Sequence, residues 1–226
     1  MVERILLIDT ATTACRVGLM SEKELLAEKS TIGTYAHAEQ LSVLIDTLMR
    51  EQNLLFSELT ALAITGGPGS YTGLRIGASV AKGICYGASL KLISINTLAL
   101  MAQGYLLKHE CLSENALLVP MIDARRMEVF TLVQDVKQQV LLQPQAMVLE
   151  ESSFEQFDGA ELHFFGDGAE KYKTLFPGQA RFSSDMYLSC AAMIPLVKKR
   201  ILLGQFESVA YYSPDYHKDF FTPQSK

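Results

Sequence analysis

The sequence predicts an α/β protein of two lobes built from one repeated unit, and three observations carry that prediction. ILLIDTATTACRVGLM, beginning at Ile5, and LLVPMIDARRMEVFTLV, beginning at Leu117, have the same plan: an apolar run closing on Ile-Asp, a short polar turn, and a second β-type run. The two aspartates, Asp9 and Asp123, lie 114 residues apart in a chain of 226, so the repeat halves the sequence. Between and after them, strand-like runs alternate with helix-like periods, as α/β lobes require. The most polar connector, HECLSENA at 109–116, falls at the join and sets the first lobe at 1–108 and the second at 109–226.

Taken in order, 4–9, 15–20 and 24–30 read as a strand meander. A helix over 36–51 follows, because Leu41, Leu44, Ile45 and Leu48 fall at i, i+3, i+4 and i+7. Strand 61–65, helix 72–88, strand 91–95 and helix 97–108 complete the first half. The second half opens with strands at 117–123, 127–134 and 139–147, then alternates short helices with short strands. Its longest helix is expected over Ser184–Leu203, kinked or interrupted at Pro195. The tail YYSPDYHKDFFTPQSK has two prolines and no period, so it is expected either to be irregular or to pack across another element, its last residues on the first lobe.

Composition narrows the function. With 49% apolar and 20% charged residues the chain reads as an ordinary folded protein. A net charge of −5, with basic residues grouped only at Arg125-Arg126 and Lys198-Lys199-Arg200, argues against tight direct binding of nucleic acid. Cysteines at 15, 85, 111 and 190 form no close pair, which excludes the common zinc spacings and a redox Cys-x-x-Cys. The N-terminus MVERILLIDT is no signal peptide, and no apolar stretch approaches the ~20 residues of a membrane helix. A cytoplasmic protein with no membrane contact is expected.

TGGPGSYTGLRIG, residues 65–77, sits between a strand and a helix, the context of an anion-binding loop. Yet no Gly-Lys pair of a P-loop occurs, and the dinucleotide fingerprint begun by Gly67 and Gly69 fails at Thr72. Pro68 also lacks one N–H that a cradle would use. A degenerate phosphate loop and a tight turn that redirects the chain both remain open, with the departures favouring the turn. In the helix that follows, Gly73, Gly77 and Ala81 recur every four residues, with Gly83 and Gly87 further on. Glycine inside a helix costs about 1 kcal/mol relative to alanine, so a close neighbour must offset it, in this chain or on a partner. His37 lies on the apolar side of the first helix, with no second ligand at metal spacing.

ILLIDTATTACRVGLM, HAEQLSVLID, ITGGPGSYTGLRIGASVAKGI, MIDARRMEVF and GDGAEKY resemble, in order and spacing, the TsaB (YeaZ) family. Its members are non-catalytic partners in making N6-threonylcarbamoyladenosine in tRNA. The resemblance implies a duplicated ASKHA fold, as in actin and sugar kinases, with the second lobe reduced. It implies a TsaD-like catalytic subunit as partner, a TsaE-like ATPase as a further one, and a homodimer when the chain is alone. His37, Leu41, Gly73, Gly77 and Ala81 would then belong to the partner-binding surface. Asp9, Thr10, Gly67, Gly69 and Asp123 would be remnants of a nucleotide site. TsaD carries an H-x-x-x-H metal pair where this chain has Thr97 and Met101, so no metal or other cofactor is expected, although a nucleotide at the subunit joint is compatible. The alternative is an ASKHA kinase or ATPase using Asp9 and Asp123. Thr10 and Arg125, standing where phosphate-binding turns want small residues, oppose it.

Overall fold

The computed structural model describes residues 3–22, 24–33, 36–176 and 178–216. The part of the tail reading that falls on 217–226 lies outside them. Strands β1 (Arg4–Asp9), β2 (Ala14–Ser21), β3 (Glu24–Ile32), β4 (Ala61–Gly67) and β5 (Lys91–Asn96) form one sheet, ordered β3-β2-β1-β4-β5. Strands β6 (Ala116–Asp123), β7 (Glu128–Asp135), β8 (Val140–Val148), β9 (Glu161–Phe165) and β10 (Arg181–Ser183) form the second, ordered β10-β9-β6-β7-β8. Both sheets join an antiparallel meander to two parallel strands in the same order. The repeat seen in the sequence is therefore a repeat of topology, and Asp9 and Asp123 close the equivalent central strands β1 and β6.

Both faces of the first sheet are covered, so β1 and β4 are apolar almost throughout, as buried parallel strands are. Leu6 and Ile8 face helices α1 (Ala36–Glu51) and α2 (Tyr71–Ala88) through Leu41, Ile45, Leu48, Ala81 and Cys85. Ile5 and Leu7, one residue out of phase, face the opposite way. There α3 (Thr97–Lys108) and α5 (Cys190–Leu202) join one core with Ile122, Phe130 and Phe165 of the second sheet. That shared core holds the two halves together. Although α5 comes from the second half of the chain, it packs on α3 and on β1, β2, β3 and β5.

The outer face of the second sheet is reduced. Where the first sheet has α1, the second has the single 3-10 turn Glu155–Phe157, and where it has the 18-residue α2, the second has the five-residue α4 (Ala169–Lys173). Aromatic side chains replace the missing helices: Phe154, Phe164 and Tyr172 are fully buried with ring centroids 5.0–5.3 Å apart.

Two expectations need correction. The helix expected over 184–203 begins at Cys190, because the Ser189 hydroxyl caps it by accepting the Ala192 N–H at 3.2 Å, and Tyr187, at φ 51°, has left helical space. Pro195 does not interrupt that helix; it sits exposed within it. The described tail is irregular and lies on the first sheet. Glu207 pairs with Leu92 on the edge strand β5, the Tyr212 hydroxyl meets Ser94 Oγ at 3.1 Å, and the Asp215 N–H donates to Gly66 O at 2.8 Å. The Lys82 ammonium of α2 donates to the carbonyls of Ala210 and Tyr212, both at 3.1 Å.

Candidate functional site

The glycine segment joins β4 to α2, and the chain's own atoms occupy the space its side chains would fill. A Cβ on Gly66 would strike Ser94 Oγ and the Tyr212 hydroxyl, and one on Gly67 would strike the Asp215 carbonyl oxygen. Gly67 also sits at φ 108°, a conformation that side chains other than glycine's rarely tolerate. On the other side, Gly69, Gly73 and Gly77 lie against the β1–β2 turn: Ala11 O, Thr10 O and Thr10 Oγ1 respectively. Two of its amides are committed as well. Ser70 N–H donates to Ala11 O at 2.7 Å, and Gly73 N–H to the capping Ser70 Oγ at 3.2 Å. The loop cradles backbone from two other parts of the same chain, and that close approach is what requires glycine.

The two aspartates differ in character. Asp9 is fully buried; its Oδ1 accepts the Ala11 N–H at 3.1 Å and the Thr65 hydroxyl at 3.0 Å, and its Oδ2 accepts Arg16 Nη1 at 2.8 Å. Arg16 is the residue opposite Asp9 in the β1–β2 register, so the ion pair is a cross-strand pair. Sequence reasoning missed Arg16, although the hairpin spacing carried the signal. Thr10 is buried too, its N–H donating to Thr65 Oγ1 at 3.2 Å. Asp123 is exposed; its Oδ1 accepts Lys171 Nζ at 2.6 Å and the Arg125 N–H at 2.5 Å. Partial burial works against its charge, but Lys171, the Arg125 amide and the nearby cations together hold its carboxyl below the usual range. Arg125 and Arg126, both at positive φ (71° and 48°), form the exposed hairpin tip beside it.

The five residues expected on a partner surface all point inward. His37 is buried, with Nε2 3.2 Å from Ala14 O; Leu41 and Ala81 belong to the core between α1, α2 and the sheet; Gly73 and Gly77 receive the Thr10 turn. The small-residue line that does face solvent is Ser79, Gly83 and Gly87, where an added Cβ on either glycine meets nothing within 4 Å. Ser79 is two residues beyond Gly77, about 200° around the helix, so the sequence held two glycine stripes and not one. Tyr86 and Val43, 85% and 53% exposed, lie on the same two helices.

Thr97 and Met101 are both buried, Thr97 Oγ1 finds no hydrogen-bond partner, and Met101 packs its Cε toward Gly166. Among the described residues no group of three His, Cys, Asp or Glu could hold a metal ion, and no helix is long and apolar enough to cross a membrane. A polar cavity of about 250 Å³ lies under the tail, between Gly66, Ser94, Arg200 and Tyr212. A more apolar one of about 170 Å³ lies between the starts of α1 and α2, at Thr12, His37, Ser70 and Ile76.

Residues 26–200 match the family model described as "TsaD: tRNA N6-adenosine threonylcarbamoyltransferase". Over 129 residues, 56% of this chain and 51% of the relative, the sequence is 38% identical to the tRNA threonylcarbamoyladenosine biosynthesis protein TsaB of Haemophilus influenzae. The Escherichia coli TsaB is 35% identical over 127 residues, 56% of this chain and 53% of its own. The matches thus span about half the length of these curated relatives. In fold, the chain is similar to YeaZ from Pseudomonas aeruginosa, with a TM-score of 0.81 at 22% identity over 95% of this chain and 99% of that one. The fold is the duplicated ASKHA fold.

Proposed function

This chain belongs to the family of the tRNA N6-adenosine threonylcarbamoyltransferase TsaD, and from that membership we propose that it is a non-catalytic partner subunit of such a transferase. It holds a TsaD-like subunit in an active arrangement while that subunit transfers threonylcarbamoyl to tRNA adenosine. One observation carries the reading: the loop that would cradle a phosphate is filled by the chain's own backbone at Thr10, Ala11 and Asp215. Asp9 is equally committed, to Arg16 and Thr65. The TsaB relatives, named for threonylcarbamoyladenosine biosynthesis, support the same process.

The partner face in this reading is the exposed side of α1 and α2, around Val43, Ser79, Gly83, Tyr86 and Gly87. Alone, the chain pairs with a second copy through that face. A TsaE-like ATPase joins the assembled pair in the cytoplasm, and any nucleotide sits at the subunit joint. The chain brings no metal, and its tRNA affinity comes from the partner. Sedimentation with a TsaD-like protein tests the face. Gly83→Leu should abolish the complex while leaving a folded, slightly more stable monomer, because leucine is the better helix former and the site is open. Unchanged association would sink the reading.

A further inference from the structure

The outward face of α2 carries one fixed positive charge, and its setting identifies what it is built to meet. Arg75 and Lys82 are the only charged residues in the helix. Lys82 is spent on two tail carbonyls. Arg75 is exposed, and no described carboxylate forms an ion pair with it. Two tyrosines hold its guanidinium: the carbon lies 3.9 Å from the Tyr71 ring centroid and 5.8 Å from that of Tyr216. The rings themselves are 4.9 Å apart, and Arg75 Nε donates to the Tyr216 hydroxyl at 3.3 Å. Cation–π contact and the Nε bond hold the side chain, and among the described residues neither terminal nitrogen forms a hydrogen bond. An arginine immobilised before binding loses little rotamer entropy on association, and its free edge matches a carboxylate through two parallel hydrogen bonds.

We propose that Arg75, stacked on Tyr71 and bonded to the tail residue Tyr216, is the energetic anchor of the α2 face and receives an aspartate or glutamate side chain of the partner protein. Tyrosine and arginine are the residues that dominate such interfaces. The tail thereby becomes part of the binding surface, and the path that lays Tyr216 on α2 acquires a use. This inference rests on the partner-subunit reading and adds to it a charged specificity contact.

The test is the dissociation constant between the full chain and a TsaD-like protein, measured by calorimetry beside thermal melts of each variant alone. Arg75→Ala should weaken binding about thirtyfold, the usual threshold for an anchor residue. Arg75→Lys should recover little of that loss, since an ammonium lacks the fork, and Tyr216→Ala should weaken binding by about threefold to tenfold. All three chains should melt within about 2 °C of wild type, the side chains being at the surface. Arg75→Glu should bind again when one partner carboxylate is changed to arginine. Arg75→Ala binding within threefold of wild type would overturn the proposal while leaving the partner-subunit reading intact. Failure of the wild-type chain to bind would defeat both readings together.

Discussion

Alanine placed at different glycines of α2 should change stability in opposite directions. Everywhere in a helix interior, alanine gains about 1 kcal/mol over glycine through backbone entropy. At Gly83 and Gly87 nothing lies within 4 Å of the new methyl, so the gain should appear nearly whole. For a chain of this size that raises the melting temperature by about 2–4 °C per substitution. At Gly73 the methyl would run into the backbone carbonyl of Thr10. The turn cannot retreat cheaply, because the Thr10 N–H is held by Thr65 Oγ1 at 3.2 Å and its neighbour Asp9 by Arg16 at 2.8 Å. Overpacking of this kind costs about 1–3 kcal/mol, so after the helix gain Gly73→Ala should lose about 1–2 kcal/mol. A methyl on Gly77 would clash only with the Thr10 hydroxyl, and Thr10→Ala should therefore relieve Gly77→Ala in a double-mutant cycle, with a coupling of about 0.5 kcal/mol or more. Urea titrations of the isolated chain read all of these. A stabilised Gly73→Ala, or a destabilised Gly83→Ala, would refute the assignment of inward and outward stripes.

Two further outcomes follow from the buried polar groups. Arg16→Met strands the Asp9 carboxylate in the core with two neutral donors, and should cost about 3 kcal/mol in a urea titration; a loss below about 1 kcal/mol would mean the pair is not needed to hold the turn. His163 is buried, accepts or shares a hydrogen bond with the Tyr105 hydroxyl at 2.7 Å, and lies 3.1 Å from Glu161 Oε1 without forming a hydrogen bond there. Burial holds its imidazole below the ordinary value of 6.5, against the pull of Glu161. The unfolded chain therefore binds the proton more readily, so this stability is present above pH 6.5 and is lost as the pH falls from there toward the folded value. His163→Gln should flatten the fall in melting temperature between about pH 7 and pH 5; an unchanged slope would assign it to other groups.

Much of this fold was legible because local signals agreed with the global plan. The Ile-Asp runs ending at Asp9 and Asp123 are the duplicated central strands, and the apolar period at Leu41, Leu44, Ile45 and Leu48 marked the buried side of α1. What could not be read was set by distant parts of the chain. The sequence shows glycines at 73, 77, 83 and 87, but only the Thr10 turn, more than sixty residues earlier, decides which pair faces inward. The same holds for Gly66 and Gly67, explained by Tyr212 and Asp215 from the far end of the chain. Asp9 and Asp123 look alike in sequence, yet one is sealed by Arg16 across the hairpin and the other is open to Lys171. The start of α5 turned on a single capping hydroxyl at Ser189, which a helical period cannot see.

In the proposed role this chain works as a subunit and performs no transfer itself. Reconstituted threonylcarbamoyl transfer to tRNA, with a TsaD-like subunit supplied alone, with this chain, and with its Gly83→Leu variant, tests it most directly. The account predicts no turnover by the chain alone, full activity only when both subunits are present, and loss of that activity with Gly83→Leu although the variant stays folded. Turnover by the purified chain, abolished in Asp9→Asn or Asp123→Asn, would contradict it.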